Sequence, residues 1–143
     1  MTNTFICVDS SCIVRLTTVE PSVTVYSQLW QKWITEKNLV IAPTLLCYEV
    51  TNVFHRLKKA GQILEKEAQT LLTEVLDLPI QFHEDRYLHY QAIEISQTLN
   101  LPATYDAHYL VLAQRFQANL YTSDKRLFNS VKSSLSWVHL VEV

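Results

Sequence analysis

The sequence contains a single glycine, Gly61, among 143 residues. The loops that wrap phosphate groups in dinucleotide-binding and P-loop proteins need several glycines within a short span. Both classes of protein are therefore excluded. Any phosphate chemistry in this chain must use something other than a cradle of backbone amides.

Cysteine is also scarce, and long hydrophobic runs are missing. The three cysteines form no C-x-x-C pair, which argues against both a disulfide framework and a zinc ribbon. No apolar run approaches the ~20 residues of a membrane span, and Asp9 interrupts the first apolar stretch before it could serve as a signal peptide. We therefore predict a cytoplasmic protein with no membrane segment.

An excess of positive charge is missing as well. The 12 basic and 14 acidic residues give a formal net charge of −2, whereas nucleic-acid-binding domains are usually basic. Either the chain binds no nucleic acid, or a local basic patch offsets a local acidic one. The 48% hydrophobic and 18% charged content is globular, and the length predicts one domain over residues 1–143.

The apolar pattern alternates between strands and helices. Short apolar runs predict buried strands at residues 5–8, 39–42, 120–122 and 137–141. Helices are predicted from residue 10, over 23–37, from 44 to about 60, over 64–78, 84–99 and 104–117, and from 124. This order predicts an α/β fold, with a central parallel sheet flanked by helices on both faces. In such sheets, sites form at the carboxyl ends of the strands.

Three acidic residues fall at strand ends or helix starts of this sheet. Asp9 and Asp124 each follow a predicted strand, and Asp106 lies in the first turn of the helix that Thr104 is predicted to cap. Each also has a structural explanation, as a turn residue, an N-cap or an acid favoured by the helix dipole. Their shared placement favours a common site.

A fourth acid, Glu49, borders the apolar stripe of its own helix. Asn52 and Arg56 continue the same border at helical spacing. Taken by itself, this pattern also fits a solvated Glu–Arg rim. Placed at the same sheet as the other three acids, Glu49 completes a candidate set of four carboxylates.

Carboxylates that gather in one place repel one another, and a cation is needed to offset that cost. Ligand sets made only of oxygen select Mg²⁺ or Mn²⁺ over zinc. Such an ion can activate a water molecule for attack on a phosphodiester. The chain offers no G-x-S-x-G motif and no cysteine with an evident partner histidine. The residues therefore predict metal-dependent phosphodiester hydrolysis.

Three segments resemble PIN-domain ribonucleases, and most closely the VapC-type toxins of toxin–antitoxin systems. They are VDSSCIVRL near the start, CYEVTNVFHRL in the middle and TYDAHYLVLAQRFQANLYTSDKRL near the end. The third is the most specific, because it combines a Tyr-Asp-Ala opening, a Leu-Ala helix, a short strand and Thr-Ser-Asp. Their order and separation extend the resemblance over nearly the whole chain.

The resemblance implies a single PIN-like domain that acts as a metal-dependent endoribonuclease with a Mg²⁺ or Mn²⁺ cofactor. It implies these catalytic metal ligands: Asp9, Glu49, Asp106 and Asp124. It further implies that Ser11 and Thr122 orient the carboxylates and that Asn52 is a matching polar position. RNA cleavage would leave a 3′-hydroxyl and a 5′-phosphate. The expected partners are a second copy of the chain and a small antitoxin whose tail fills the active-site groove.

Basic residues near the acids offer an answer to the low net charge. Arg56, Lys125 and Arg126 are predicted to hold RNA phosphates, which position a substrate without reading its sequence. Lys58 and Lys59 fit this role and a simple completion of the helix dipole equally well.

Two other functions were weighed against a ribonuclease. A phosphatase with Asp9 as nucleophile would need a second aspartate at position 11, which is occupied by Ser11. A non-catalytic PIN-fold module that binds RNA or protein remains the alternative. Residues 64–90 carry no usable family motif, and His83, His89 and His108 have no spacing typical of metal ligands.

Overall fold

A computed structural model of the chain describes residues 4–18 and 24–142. The predicted helix start at residue 23 lies outside the described residues. The strands and helices, in chain order, are β1 (Phe5–Val8), α1 (Ser10–Thr18), α2 (Val25–Thr35), β2 (Leu39–Pro43), α3 (Leu45–Lys59), α4 (Glu65–Asp77), β3 (Ile80–His83), α5 (Arg86–Thr98), α6 (Tyr105–Arg115), β4 (Asn119–Thr122), α7 (Lys125–Val131) and β5 (Val138–Leu140).

The five strands form one parallel sheet in the order β3-β2-β1-β4-β5. β1 is central, because Ile6 pairs with Val40 on one side and with Asn119 on the other. Right-handed crossovers place α1 to α4 on one face and α5 to α7 on the other. The predicted α/β fold is therefore confirmed. The direction of winding reverses between β1 and β4, where open parallel sheets bind their ligands.

The core explains why the central strands read as unbroken apolar runs. Residues 6–8 of β1 and 40–42 of β2 are buried, as expected for strands covered on both faces. Helix α6 packs against β1, β2 and β4, and its residues 109–113 are all buried. The first turn of α6, which carries Asp106, is thereby held rigidly at one end of the sheet.

The edge strand β3 was missing from the sequence prediction. It has only four residues, none of them fully buried, so its pattern gives little hydrophobic signal. Ile80 nevertheless pairs with Val40 in parallel register. The next helix begins at Arg86 rather than at residue 84, because the side chain of Asp85 caps it by accepting a hydrogen bond from the amide of Leu88.

The scarcity of glycine shows at the helix ends. Gly61 follows α3 with φ of 77°, but Lys37, Asn100 and Gln117 follow α2, α5 and α6 with φ of 60°, 54° and 51°. Left-handed backbone of this kind is strained for residues that carry a Cβ atom. Three helices thus end without the residue best suited to ending them.

The start of α6 differs from the sequence prediction. Thr104 was predicted to cap α6, yet its side chain makes no capping hydrogen bond, and its φ and ψ of −96° and −6° are not those of an extended N-cap. The prediction was wrong, and the backbone of Thr104 simply leads into the helix.

None of the described helices is both long enough and apolar enough to span a membrane.

Candidate active site

Asp9 lies at the carboxyl end of β1 and is 4% exposed. Its Oδ1 accepts hydrogen bonds from Ser11 Oγ at 2.6 Å and from the amide of Cys12 at 3.1 Å. Its Oδ2 accepts one from the hydroxyl of Thr122 at the end of β4. The carboxylate therefore links β1 to β4, the two parallel strands between which the direction of winding reverses.

The same hydroxyl groups also fix the segment that follows β4. Ser11 Oγ accepts a hydrogen bond from the amide of Ser123 at 2.9 Å, and Thr122 Oγ1 accepts one from the amide of Asp124 at 3.0 Å. Each hydroxyl thus donates to Asp9 and accepts from the β4 side. This geometry fits the orienting part that the family resemblance implies for Ser11 and Thr122.

Glu49 enters the site from the second turn of α3. Its Oε1 accepts a hydrogen bond of 2.6 Å from the hydroxyl of Tyr109 and one of 3.3 Å from Ser10. Among the described residues, its other oxygen has no hydrogen-bond donor. The glutamate is therefore oriented through one oxygen and leaves the second one available.

Asp106 and Asp124 complete the acidic set. Asp124 caps α7, since its Oδ1 accepts from the amides of Arg126 and Leu127 at 2.9 and 3.2 Å. The N-cap explanation is therefore correct, and it leaves the other oxygen uncommitted. Asp106 is partly buried in the first turn of α6, and in residues 4–18 and 24–142 its carboxylate has no hydrogen-bond partner.

Burial and mutual repulsion act on two of these acids. Burial raises the pKa of Asp9 to about 6, and the charge of Asp106 contributes to the rise, although hydrogen bonds from its three donors oppose it. Burial likewise raises the pKa of Asp106 to about 6, with repulsion from Asp124 and Glu49 adding to it. The four acids thus share one electrostatic environment.

This donor set fits a hard divalent cation in its chemistry. The ligands are carboxylate oxygens, and no lysine or arginine forms an ion pair with any of the four in the described part of the chain. As the side chains stand, no three His, Cys, Asp or Glu residues among 4–18 and 24–142 are close enough to hold one ion. Gathering three of them around an ion would require side-chain rotation.

The predicted polar and basic residues are placed less uniformly. Lys125 and Arg126 are exposed and directly follow Asp124 at the site edge. Arg56 is also exposed, but it lies seven residues beyond Glu49, roughly 10 Å along the axis of α3. Asn52 is exposed, one turn after Glu49 on α3, and among the described residues it donates no hydrogen bond to any of the acids.

Sequence reasoning missed the groups that hold Glu49. Neither Tyr109 nor Ser10 was among the predicted site residues. A buried tyrosine needs a hydrogen-bond partner for its hydroxyl, and that signal could have pointed to Tyr109. It could not have named Glu49, which is 60 positions away.

The PIN domain family matches residues 6–133, and the chain therefore belongs to that family. The fold and the acidic edge of the sheet define a PIN domain whose four acids all lie within the matched segment. A comparison with curated proteins found no match.

Several solved structures share the fold. The protein PAE2754 of Pyrobaculum aerophilum is 24% identical, with a TM-score of 0.66 over 94% of this chain and 91% of that one. VapBC2 of Rickettsia felis, bound to a DNA fragment from the VapBC2 promoter, is 12% identical, with a TM-score of 0.74 over 97% of this chain and 100% of that one. A toxin–antitoxin complex of Klebsiella pneumoniae is 16% identical with a TM-score of 0.66, over 96% and 99%. At these identities, the likeness concerns the fold.

Proposed function

We propose that this PIN domain is a Mg²⁺- or Mn²⁺-dependent endoribonuclease that acts as a VapC-type toxin in the cytoplasm. One observation carries the proposal. Asp106 lies at the edge of the sheet where the strands end, and Glu49 and Asp124 are near enough to raise the pKa of its carboxyl group. A carboxylate held among other carboxylates is costly without a cation, and PIN domains are generally nucleases.

The chain's own residues divide the work of holding the cation. Asp9, Glu49, Asp106 and Asp124 would supply the ligand oxygens. When bound, the ion would lower the pKa of a water molecule and neutralise charge on the departing oxygen. Ser11 and Thr122 fix the carboxylate of Asp9, as outer groups fix metal ligands in other proteins.

The rest of the site positions Glu49 and the RNA. Tyr109 and Ser10 bind one oxygen of Glu49, and the other oxygen would bind the cation. Lys125 and Arg126, which are exposed and follow Asp124, would contact RNA phosphates. Arg56 is further from the acids and would contact a phosphate more distant from the cleavage point.

The toxin assignment includes two partners, a second copy of the chain and a small antitoxin. The antitoxin partner is supported by two structures with the same fold, which are described as VapBC2 of Rickettsia felis bound to promoter DNA and as a toxin–antitoxin complex of Klebsiella pneumoniae. Light scattering tests the homodimer, and a co-expression pull-down with the product of the adjacent gene tests the antitoxin. A monomer with no such partner would remove the toxin assignment and leave the nuclease assignment standing.

The central experiment is an RNA cleavage assay with Mn²⁺ and with EDTA. We expect cleavage only with the metal, and a loss of at least ~100-fold in Asp106→Asn. Glu94→Gln, an exposed change on α5, serves as the matched control. Binding of RNA without any cleavage would support the non-catalytic module instead. Full activity of Asp106→Asn, or robust activity in EDTA, would overturn the proposed metal site.

A further inference from the structure

Two exposed tyrosines directly precede two of the site acids. Tyr48 comes before Glu49 on α3 and is 74% exposed, and Tyr105 comes before Asp106 on α6 and is 63% exposed. Both rings line one cleft of about 560 Å³, a size typical of small-molecule sites. Large aromatic side chains left in water beside a reaction centre call for a ligand.

The floor of this cleft is a chain of hydrogen bonds. The carbonyl of Thr104 can only accept, so Nδ1 of His108 donates to it at 2.7 Å. Nε2 of His108 lies 3.0 Å from Nδ1 of His89, whose Nε2 lies 3.0 Å from Glu84. The other oxygen of Glu84 accepts from Thr44 at 3.0 Å. This chain is complete when one of the two histidines carries a proton on both ring nitrogens, and the negative charge of Glu84 then balances that proton. The polar groups thus bind each other, which leaves the aromatic rings as the main contact surface.

The lining also shows which part of an RNA would fit. It contains no lysine or arginine, so it lacks the cations that phosphate binding uses. It does offer two tyrosine rings, and such rings stack on any base because every base has a π-face. Successive side chains on a helix point roughly 100° apart, so a base against Tyr105 would belong not to the nucleotide at Asp106 but to one of its neighbours.

We infer that the cleft between Tyr48 and Tyr105 is a stacking subsite for an unpaired nucleobase that flanks the cleaved phosphate. The inference rests on the proposed ribonuclease function and narrows its substrate to RNA whose bases are free to leave a helix, as single-stranded loops and ends are. Because the polar floor is internally satisfied, stacking in this subsite tolerates different bases.

The test uses short single-stranded RNA oligonucleotides that carry 2-aminopurine or an abasic residue at successive positions. Binding is measured with Mn²⁺ in the Asp106→Asn background, which prevents cleavage, by 2-aminopurine fluorescence and by titration. We expect Tyr48→Ala and Tyr105→Ala to weaken binding roughly 5- to 100-fold, and Phe at either position to restore it. Tyr87→Ala, a 68% exposed tyrosine outside the cleft, should bind as the background does.

Removal of one base should show whether that base and the two tyrosines contribute to binding through the same contact. An abasic residue at the subsite position should weaken binding to the intact cleft and leave the alanine variants no weaker than before. RNA binding that ignores both tyrosines would overturn the subsite, while metal-dependent cleavage by the wild type would still support the nuclease. A wild type that neither binds nor cleaves the RNA would overturn both. Alanine variants that bind RNA normally but lose the dimer or an antitoxin would assign the cleft to that partner and overturn the subsite.

Discussion

The hydroxyl of Tyr109 donates a hydrogen bond of 2.6 Å to Oε1 of Glu49, although 60 positions separate the two residues. Tyr109 lies within the fully buried stretch of α6, whereas Glu49 is only partly buried on α3. The contact therefore ties the carboxylate of Glu49 to a helix whose residues 109–113 are all buried.

Tyr109→Phe removes that donor without changing the packed ring. We expect ribonuclease activity to fall about 10- to 100-fold, as it does when outer partners of metal ligands are removed, with the circular dichroism spectrum unchanged. Cleavage rates at several Mn²⁺ concentrations measure the loss, and Tyr87→Phe on the surface of α5 is the control. A Tyr109→Phe variant as active as the wild type would show that Glu49 needs no orientation.

Thr122 offers a similar test at Asp9. Its hydroxyl donates to the Asp9 carboxylate and accepts from the amide of Asp124, and the residue is fully buried. Thr122→Val keeps the shape and removes both bonds, so we expect a loss of about 1–3 kcal/mol in the free energy of unfolding. Thr122→Ser retains the hydroxyl and should retain activity.

The pH dependence of the Thr122→Val effect follows from the pKa of Asp9, which is about 6 in the folded protein. Above that pH the carboxylate is charged and needs its donors most. Urea unfolding in EDTA should therefore show a larger difference from the wild type at pH 8 than at pH 5. An equal difference at both values would mean that the hydroxyl contributes through packing alone.

Asp106→Asn should make the metal-free protein more stable at neutral pH. The folded-state pKa of Asp106 is raised from 3.8 to about 6, so the folded protein holds this proton more tightly than the unfolded chain does. Protonation of Asp106 therefore stabilises the fold fully below pH ~3.8, and this stabilisation is lost as the pH rises through 6. At pH 7.5 the ionised acid thus weakens the fold. Removal of its charge should increase the free energy of unfolding by roughly 0.5–2 kcal/mol, a range reduced by solvent screening.

Melting curves for the wild type and Asp106→Asn at pH 7.5 and pH 4, in EDTA, measure this effect. The gain should nearly vanish at pH 4, where the wild-type acid is largely protonated. Excess Mn²⁺ should reverse the order at pH 7.5, because an ion that binds only the folded wild type stabilises it. A variant that melts below the wild type in EDTA at pH 7.5 would contradict a site strained by repulsion.

Much of this architecture is local information and could be predicted from the sequence. The central strands β1 and β2 show as apolar runs because residues 6–8 and 40–42 are buried, and the helix that carries Glu49 shows its period. The edge strand β3 could not be found, since its side chains are only half-buried and its partner Val40 lies 40 residues away. The same limit applies to the bond from Tyr109 to Glu49, which no periodicity encodes.

The ends of the helices yield a further prediction, which concerns stability alone. Gln117 has a φ of 51° and ends α6. Gln117→Gly should stabilise the fold by roughly 0.5–1 kcal/mol. Glycine relieves the strain of the left-handed backbone, and the greater flexibility that it gives the unfolded chain offsets only part of that gain. Gln117→Ala keeps the strain and should show no such gain in a urea titration. Equal effects of glycine and alanine would contradict strain at this position.

The pairing of β1 with β4 determines the point in synthesis at which the proposed site can first assemble. Asp9 leaves the ribosome early, yet the hydroxyl that completes its surroundings belongs to Thr122, 113 positions later. A nascent chain that has not yet released β4 has no assembled centre, whatever part of the sheet has already formed. The proposed site therefore cannot exist in a nascent chain until β4 has been synthesised and paired with β1.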